Sequence, residues 1–340
     1  MYISVTKQTL AFQHPFRISR SCRTTINNAI AILKHKNFSG YGEATANAYY
    51  HINTEKIEKD LLALTEFLAT YPFSTPEKLW EVVQPQLAKN TFALCALDEA
   101  AHDLYGKLSN KPLHDLWNLD IKNAPLSNYT LGIDEIPLMV KKMKATPWPV
   151  YKIKLGTEHD LEIVKALRKE TDAFLRVDAN CGWEVDQSIN FSKELKKLGV
   201  EFIEQPLPAT DLEGMKEVFK HTALPIIADE SCILEQDVEK CEGYFHGVNI
   251  KLMKCGGITP ARRMIAKAKL RNMKVMVGCM TESSVGISPI AHLAPSLDYV
   301  DMDGAMLIKD EFATGIQLEE GKIMYNGLPG TGASLNNEVT

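Results

Sequence analysis

The sequence predicts an α/β protein in which an eight-stranded β/α barrel follows a separate α+β domain. Three observations support this prediction. Short β-rich runs alternate with helical patterns from about residue 129 onward. Ionisable residues recur at the ends of successive predicted strands at intervals of roughly 25 residues, close to the length of one strand-plus-helix unit. The region before residue 120 instead has strands followed by helices.

The N-terminal region has the pattern of an α+β domain. Strands are predicted over about 2–12, 26–36 and 41–46. Amphipathic helices are predicted over 54–70, 75–88, 91–108 and 111–117. The tail contains short strands around the Glu-Gly turn of LEEGKI and is too short to fold alone. We therefore predict a capping domain over 1–120 that is completed by about 306–340.

The remaining region, 121–305, is predicted to be the barrel. Its eight strands begin with YTLGI and end with YVDMDGA. The intervening helices are predicted at about 134–145, 158–170, 185–198, 211–221, 234–242, 259–271 and 284–294. Because such barrels place their active site at the carboxyl ends of the strands, residues at those ends are the first functional candidates.

Composition limits the classes of function. With 45% hydrophobic and 24% charged residues in 340, the chain has the composition of a globular protein. The net charge of −5 and the dispersed basic residues argue against a nucleic-acid partner. No signal-peptide core or long apolar run occurs, so we expect a soluble, cytoplasmic protein without a membrane partner. Seven cysteines without a CxxC pair indicate reduced thiols.

Three carboxylates are predicted to end the third, fourth and fifth barrel strands, at Asp178, Glu204 and Asp229. Isolated charges in a barrel interior are costly, so these acids need a compensating cation. Carboxylate oxygens are hard ligands, which favours Mg²⁺, or alternatively Mn²⁺, over zinc. One such acid alone could simply form a salt bridge and cap the next helix. Three in register are predicted to be metal ligands.

Two lysines, Lys154 and Lys251, are predicted to end strands two and six, on opposite walls of the barrel. Lys152 points the same way as Lys154. Burial and a nearby cation are expected to lower the pKa of such a lysine, so that its amine can act as a base. The alternative is a solvent-facing lysine at a strand end. Lys254 is interpreted as a loop residue.

The chemistry that these groups support is proton abstraction α to a carboxylate. One lysine removes the proton, the other returns it from the opposite side, and the metal and Lys152 stabilise the enediolate. Opposed lysines therefore predict inversion at carbon.

The KxK pair, the acid series and NIKLMKCGG around Lys251 together resemble the muconate-lactonising subgroup of the enolase superfamily. The resemblance covers nearly the whole chain. It implies a modified TIM barrel, (β/α)7β, with an N-terminal α+β capping domain and a required Mg²⁺. Cycloisomerisation, o-succinylbenzoate synthesis, N-acylamino-acid racemisation and dipeptide epimerisation all remain open at this level.

A further motif separates these activities. In YVDMDGAM, Asp301 and Asp303 lie at i and i+2 and share one face of the last strand, an arrangement suited to a cation. It resembles the DxD motif of dipeptide epimerases, which implies binding of the substrate's N-terminal ammonium. The alternative is a pair of solvent-facing aspartates. We predict a Mg²⁺-dependent epimerase that inverts the α-carbon of the C-terminal residue in L-Ala-L-Xaa dipeptides.

The resemblance also indicates residues of the substrate pocket. The dipeptide carboxylate is expected to contact Mg²⁺ and Lys152, and Thr130 is either a further contact or a structural threonine. Asn180 either supports the metal site or forms a turn, and Glu230 is expected to face away. Pocket-lining residues are expected after strand seven at Cys279, Met280 and Glu282.

Substrate specificity is expected to come from two cap loops, 14–25 and 45–53. Whether the second substrate residue is acidic or hydrophobic stays open. The candidates are Arg17, Arg20, Arg23, Tyr49, Tyr50 and Ile52.

Other functions remain as alternatives. The nearest is an N-acylamino-acid racemase or an o-succinylbenzoate synthase. A different class is a non-catalytic barrel that binds a metal or small ligand. A third is a phosphate-binding barrel in which Cys255, Gly256 and Gly257 cradle phosphate and Lys251 forms a Schiff base. We expect a small-molecule substrate and a homo-oligomer.

Overall fold

A three-stranded antiparallel sheet begins the structure, a computed structural model that describes residues 1–19 and 21–336. Its strands pair in the order β1 (Tyr2–Ile18), β2 (Ser21–His35) and β3 (Phe38–Thr45). Segment 14–25, predicted as a cap loop, is mostly strand. Ile18 pairs with Ser21, since cross-strand pairing resumes after the irregularity between Ala11 and Phe16.

Helices follow the sheet, and the single helix predicted over 54–70 is in fact two, broken at residues 63–64. The longest, α4, is buried along most of its length. Gly42 of β3 allows close contact with this helix, because a Cβ there would lie 2.0 Å from the carbonyl oxygen of Ala96. The helices are α1 (Thr54–Leu62), α2 (Thr65–Thr70), α3 (Pro76–Leu87), α4 (Thr91–Leu108) and α5 (Leu113–Leu116).

All eight predicted barrel strands are confirmed, and they form one parallel sheet in chain order. They are β4 (Tyr129–Leu131), β5 (Val150–Lys154), β6 (Phe174–Asp178), β7 (Val200–Glu204), β8 (Ile226–Ala228), β9 (Gly247–Ile250), β10 (Lys274–Gly278) and β11 (Tyr299–Asp301). The first and last strands meet at a seam, where Ser127 forms a bridge with Val300. This isolated bridge brings the two edges of the sheet together, so the barrel is nearly closed.

The helices between these strands also follow the predicted pattern, with two differences. The helix predicted over 234–242 has only one turn in the structure, and an additional short helix follows Lys251. The barrel helices are α6 (Ile136–Ala145), α7 (Asp160–Arg168), α8 (Val185–Lys197), α9 (Leu212–His221), α10 (Asp237–Lys240), α11 (Leu252–Cys255), α12 (Ile258–Leu270) and α13 (Ser284–Leu293).

The C-terminal tail contacts both parts of the molecule. The backbone N–H of Thr331 donates to Asp103 Oδ1 of α4 at 2.8 Å. A hairpin turns at the predicted Glu-Gly pair, and the carbonyl of Gly321 accepts from Ser127 N at 2.8 Å. The tail strands are β12 (Ala313–Thr314), β13 (Gln317–Glu319), β14 (Lys322–Met324) and β15 (Ser334–Leu335). The domain boundaries of the sequence analysis stay a prediction.

No helix within residues 1–19 and 21–336 combines the length and the apolar character needed to cross a bilayer.

Candidate active site

The predicted strand-end residues converge at one end of the barrel. Lys154, Asp178 and Glu204 are the last residues of β5, β6 and β7. Asp229 and Lys251 directly follow the last residues of β8 and β9. Parallel strands bring their carboxyl ends to the same edge, so the series that is spread along the sequence becomes one cluster.

Carboxylate oxygens of Asp178, Glu204 and Asp229 lie within 4.8 Å of one another, and all three residues are buried. Glu204 Oε2 is 2.7 Å from the Lys152 ammonium, yet no donor in the described residues reaches it at a hydrogen-bonding angle. A buried carboxylate oxygen with this unused capacity, in an all-oxygen set, fits a small divalent cation such as Mg²⁺.

The electrostatics differ among the three acids. Burial and the Asp178 charge raise the pKa of Glu204 to about 7. Burial alone would also raise the pKa of Asp229, but Lys251 and Lys254 outweigh it and hold that pKa well below its usual range. Asp229 is therefore ionised, whereas burial and the neighbouring negative charge make Glu204 harder to ionise.

Lys154 and Lys251 both line the same cavity, from strands four apart in the barrel. Lys154 Nζ lies 2.6 Å from Asp178 Oδ2, and Lys251 Nζ lies 2.7 Å from Asp229 Oδ2. The expected lowering of a lysine pKa is not seen at Lys251. Burial would lower that pKa, but the Asp229, Glu204 and Glu230 carboxylates together raise it by more.

Lys152 occupies the centre of the charged cluster. Its ammonium lies 2.7 Å from Glu204 Oε2, 2.8 Å from Asp301 Oδ2 and 3.4 Å from Asp178 Oδ2. Burial would lower its pKa, but Asp301 and the other two carboxylates raise it well above its ordinary value. Lys152 therefore remains a cation, and it connects the three acids to the DxD pair.

Lys254 is not the loop residue that the sequence suggested. It lies in the short helix α11, is almost fully buried, and places its ammonium 2.6 Å from Asp229 Oδ1 and 2.9 Å from the Cys232 carbonyl. It also donates to the Asp229 carbonyl. Asp229 is thus held between two lysines, one on each carboxylate oxygen.

Asp301 and Asp303 are buried at the seam, so the solvent-facing alternative is wrong. Asn128 Nδ2 donates to Asp301 Oδ1 at 2.7 Å, and Thr130 N donates to Asp303 Oδ2 at 2.5 Å. Burial would raise the pKa of Asp301, but the nearby Lys152 and Lys154 outweigh burial and hold that pKa below its ordinary value. Burial and Asp301 raise the pKa of Asp303 to about 7. The pair therefore carries a net negative charge.

A cavity of about 390 Å³ joins these groups to the β1–β2 hairpin. Among the sequence candidates, it is lined by Thr130, Cys279, Met280, Arg23 and Tyr49. Its apolar wall comes from Phe12, Phe16, Ile18, Ile26 and Leu307. One end of the cavity is therefore charged and the other end is mostly apolar, with Arg23 among the apolar residues.

Other sequence candidates lie outside that lining. Glu282 is buried behind it, and its Oε1 accepts from Met280 N at 2.6 Å. Tyr50 packs on Phe92, with ring centroids 5.6 Å apart. Arg17 lies beside one separate groove, Ile52 is buried and lines another, and Arg20 falls outside the described residues.

Three remaining sequence suggestions can be placed. Asn180 lines the cavity, and its N–H donates to Asp178 Oδ1 at 2.9 Å. Glu230 is buried. The glycines after Cys255 serve packing rather than a phosphate cradle, because a Cβ on Gly257 would lie 2.4 Å from Asp98 Oδ2. Gly257 also has a φ of 118°, which favours glycine.

Sequence reasoning missed three residues that contact this cluster. Asn249 Nδ2 donates to Glu204 Oε1 at 2.8 Å, and it lies two residues before Lys251 on β9. The same period of two that linked Lys152 to Lys154 could have identified it. Asn128 precedes Thr130 by the same spacing. For Lys254, the only signal in the sequence was its position about one helical turn after Lys251.

Known proteins resemble the chain along its whole length. The family profile described as "Mandelate racemase / muconate lactonizing enzyme, N-terminal domain" matches residues 2–117. The profile described as "Enolase C-terminal domain-like" matches residues 138–339. An L-Ala-D/L-amino acid epimerase from Flavobacterium johnsoniae is 52% identical over 335 residues, which cover 98% of this chain and 100% of that protein.

Solved structures agree with this similarity. The L-Ala-D/L-Glu epimerase from Bacillus subtilis, in a substrate-liganded complex, superposes with a TM-score of 0.93 at 26% identity and 98% coverage of both chains. A dipeptide epimerase from Enterococcus faecalis, complexed with Mg and the dipeptide L-Leu-L-Tyr, gives a TM-score of 0.90 at 28% identity, covering 98% of this chain and 99% of that one.

Proposed function

Because the chain belongs to the enolase superfamily, with the N-terminal domain of its mandelate racemase and muconate lactonizing branch, we propose that Lys154 and Lys251 exchange protons with opposite faces of one substrate carbon. The enzyme is an isomerase of the epimerase type, since two relatives at 52% identity are named L-Ala-D/L-amino acid epimerase, and solved neighbours are dipeptide epimerases in complex with dipeptides. A two-lysine inversion of the C-terminal residue is supported by Lys154 and Lys251, which line one cavity from opposite walls.

The observation that carries the proposal is the placement of the two lysines. Both ammonium groups reach one cavity from opposite walls, and each is held by a different acid of the buried group. A carbon between them would lose its proton to one amine and receive a proton from the other, which inverts its configuration. Each lysine must be neutral to act as the base and charged to act as the acid.

Asp178, Glu204 and Asp229 would hold Mg²⁺, the cofactor with which dipeptide-epimerase neighbours were crystallised. When bound, the cation supplies positive charge at the substrate carboxylate, which makes the adjacent α-hydrogen more acidic. Lys152 lies among the same acids and would donate to that carboxylate, stabilising the charge that develops on its oxygens.

Asp301 and Asp303 would hold the N-terminal ammonium of the dipeptide. They line the cavity beside Lys154, and their net negative charge suits a cation. The substrate would then lie with its carboxylate at the three acids and its ammonium at the seam, which brings the α-carbon of the second residue between the lysines. The second side chain would face the hairpin, where apolar residues and Arg23 line the cavity.

The test is hydrogen exchange in D₂O. Purified protein with Mg²⁺ is incubated with L-Ala-L-Xaa dipeptides, and mass spectrometry and NMR follow the C-terminal α-position. We expect deuterium incorporation together with formation of the D-configured second residue. Absence of exchange with every dipeptide would refute the proposal.

An N-acylamino-acid racemase is the second candidate, because it would use the same lysines and metal. The DxD pair separates the two, since an acyl substrate has no ammonium. If N-acetylated amino acids exchanged faster than dipeptides, and Asp301→Asn left that exchange unchanged, the acyl substrate would replace the dipeptide in the proposal.

A further inference from the structure

The two aspartates of the DxD motif are held from across the seam. Asn128, just before β4, donates to Asp301, and Thr130 of β4 donates to Asp303. Asn128 and Thr130 are two residues apart at β4, as are Asp301 and Asp303 at the end of β11, and the two pairs face each other across the seam. The pair that would bind the substrate is therefore positioned by the first strand of the barrel.

Asn128 has a side chain whose orientation is set by a second residue. It is fully buried, and its Oδ1 faces Arg176 Nη1 at 3.5 Å. A guanidinium only donates hydrogen bonds, so the amide oxygen must face it. The amide nitrogen is then directed to Asp301 Oδ1, at 2.7 Å. Rotation of the amide by 180° would place two donors together at Arg176.

Arg176 is itself fixed in the barrel interior. Its Nε donates to Glu201 Oε2 at 2.8 Å, and its guanidinium lies 4.9 Å from the centre of the Tyr299 ring. Because arginine stays protonated in proteins, its donor role does not change with pH. A continuous set of contacts thus runs from Glu201 through Arg176 and Asn128 to Asp301.

Asp301 has a competing partner, Lys152, on its other oxygen at 2.8 Å. Without Asn128, Oδ1 would lose its amide donor, and the carboxylate could turn both oxygens toward that lysine. We propose that Asn128, oriented by Arg176, is a positioning residue that keeps Asp301 aimed at the N-terminal ammonium of the dipeptide. This inference rests on the proposed function of the site.

The test uses Asn128→Leu, which keeps the size of the side chain and removes the amide. Full-length protein with Mg²⁺ is assayed for kcat and KM with an L-Ala-L-Xaa dipeptide. Loss of a hydrogen bond to a charged group is expected to raise KM about tenfold, while kcat changes less than about threefold. Ser127→Ala is the matched control, since Ser127 bonds the backbone of Met302 at the same seam but does not contact the carboxylate. Its KM is expected to stay within about twofold of wild type.

A double-mutant cycle separates positioning from a general structural role. In an Asp301→Asn background, Asn128→Leu is expected to change KM by less than about twofold, because its effect passes through the aspartate. An equal tenfold effect in both backgrounds would overturn the inference, as would an unchanged KM in the single variant. If Asn128→Leu does not fold, Asn128→Ala is measured in the same cycle, with the melting temperature of each variant.

The outcome can be distinguished from failure of the proposed function. If wild-type protein exchanges no dipeptide α-hydrogen, the proposed function fails and the ammonium role of Asp301 fails with it. If wild-type protein is active and the two Asn128 variants retain its KM, only the positioning role is refuted.

Discussion

Lys152 and Asp301 form a buried ion pair, with Nζ 2.8 Å from Oδ2. The same ammonium contacts Glu204 at 2.7 Å. One cation therefore joins the acids that would hold Mg²⁺ to the pair that would hold the substrate ammonium. The two halves of the site are electrostatically connected before any ligand binds.

The first prediction concerns this shared cation. Lys152→Met should lower the free energy of unfolding by about 3–5 kcal/mol in EDTA, because it leaves buried carboxylates without their cation. Urea unfolding measures the change, and Mg²⁺ should restore more stability to the variant than to wild type. Lys7→Met, at an exposed ion pair with Glu58, should lower the free energy of unfolding far less, because water and salt screen such a pair. Equal losses in the two variants would contradict the central role of Lys152.

The second prediction separates the two lysines. Lys154→Ala and Lys251→Ala should each reduce epimerisation by about 10²–10⁴-fold, because inversion needs an acid and a base on opposite sides. Each variant should still exchange the α-hydrogen of one configuration of the dipeptide, and the two variants should retain opposite configurations. NMR in D₂O with the separate L,L and L,D dipeptides makes the comparison. Retention of the same configuration by both would contradict the two-base arrangement.

The third prediction concerns Lys254, which holds the Asp229 oxygen opposite Lys251. Lys254→Met should weaken Mg²⁺ binding about 10–100-fold, the usual effect of losing a group that orients a metal ligand. Isothermal titration calorimetry measures the dissociation constant. Lys240→Met serves as control, because Lys240 is an exposed partner of Asp237. An unchanged dissociation constant in Lys254→Met would show that Lys251 alone suffices to orient the carboxylate.

The fourth prediction addresses the second residue of the substrate. Arg23 lines the mostly apolar end of the cavity, whereas Arg17 lies beside a separate groove. Arg23→Met should reduce kcat/KM for L-Ala-L-Glu by about tenfold, through loss of a charged contact, and change that for L-Ala-L-Leu by less than about threefold. Arg17→Met should leave the ratio of the kcat/KM values for the two dipeptides unaltered. If Arg23→Met lowered kcat/KM equally for both dipeptides, Arg23 would have no part in selecting an acidic side chain.

The fifth prediction concerns stability at low pH. Burial lowers the pKa of His292 to about 3 from its ordinary value of 6.5. The unfolded chain therefore binds a proton between these pH values that the folded chain does not, so stability falls as the pH drops below about 6.5. Protonation of His292 should lower the free energy of unfolding by about 2 kcal/mol between pH 7 and pH 5.

His292→Gln provides the comparison for that loss. Denaturant unfolding at both pH values should show a smaller decrease for the variant than for wild type, by about the amount due to one proton. The imidazole also contacts the Thr331 carbonyl, at 3.1 Å, so the variant will be less stable at pH 7 as well. The informative quantity is therefore the difference between the two pH values. Parallel decreases in both proteins would contradict the prediction.

Much of the barrel was predictable because its signals are local and repeated. Each strand has its own β-rich run, and the acids follow those runs at regular intervals, so their convergence needed only the rule for parallel strands. The hairpin was less predictable. Strand pairing continues through 14–25 although that segment carries loop-like residues, because cross-strand contacts outweigh local preference.

The residues that support the site were harder to find. Asn128 and Asp301 are separated by nearly the whole barrel sequence, and only closure at the seam brings them together. Lys254 looked like one lysine among many, since nothing local shows that its helix turns it into the interior. A contact between distant segments depends on the packing of the whole chain, which periodicity within one segment does not describe.

The sequence by itself determined the chemical inventory and its order: three acids, two lysines and an aspartate pair, each at the end of its own strand. Local periodicity is sufficient for that conclusion because side-chain direction in a strand alternates residue by residue. The tertiary structure alone decided which charges share a partner, as Lys152 does with Glu204 and Asp301, and which side chains line the cavity. Those relationships depend on distances across the barrel interior, where a buried charge without a partner is energetically costly.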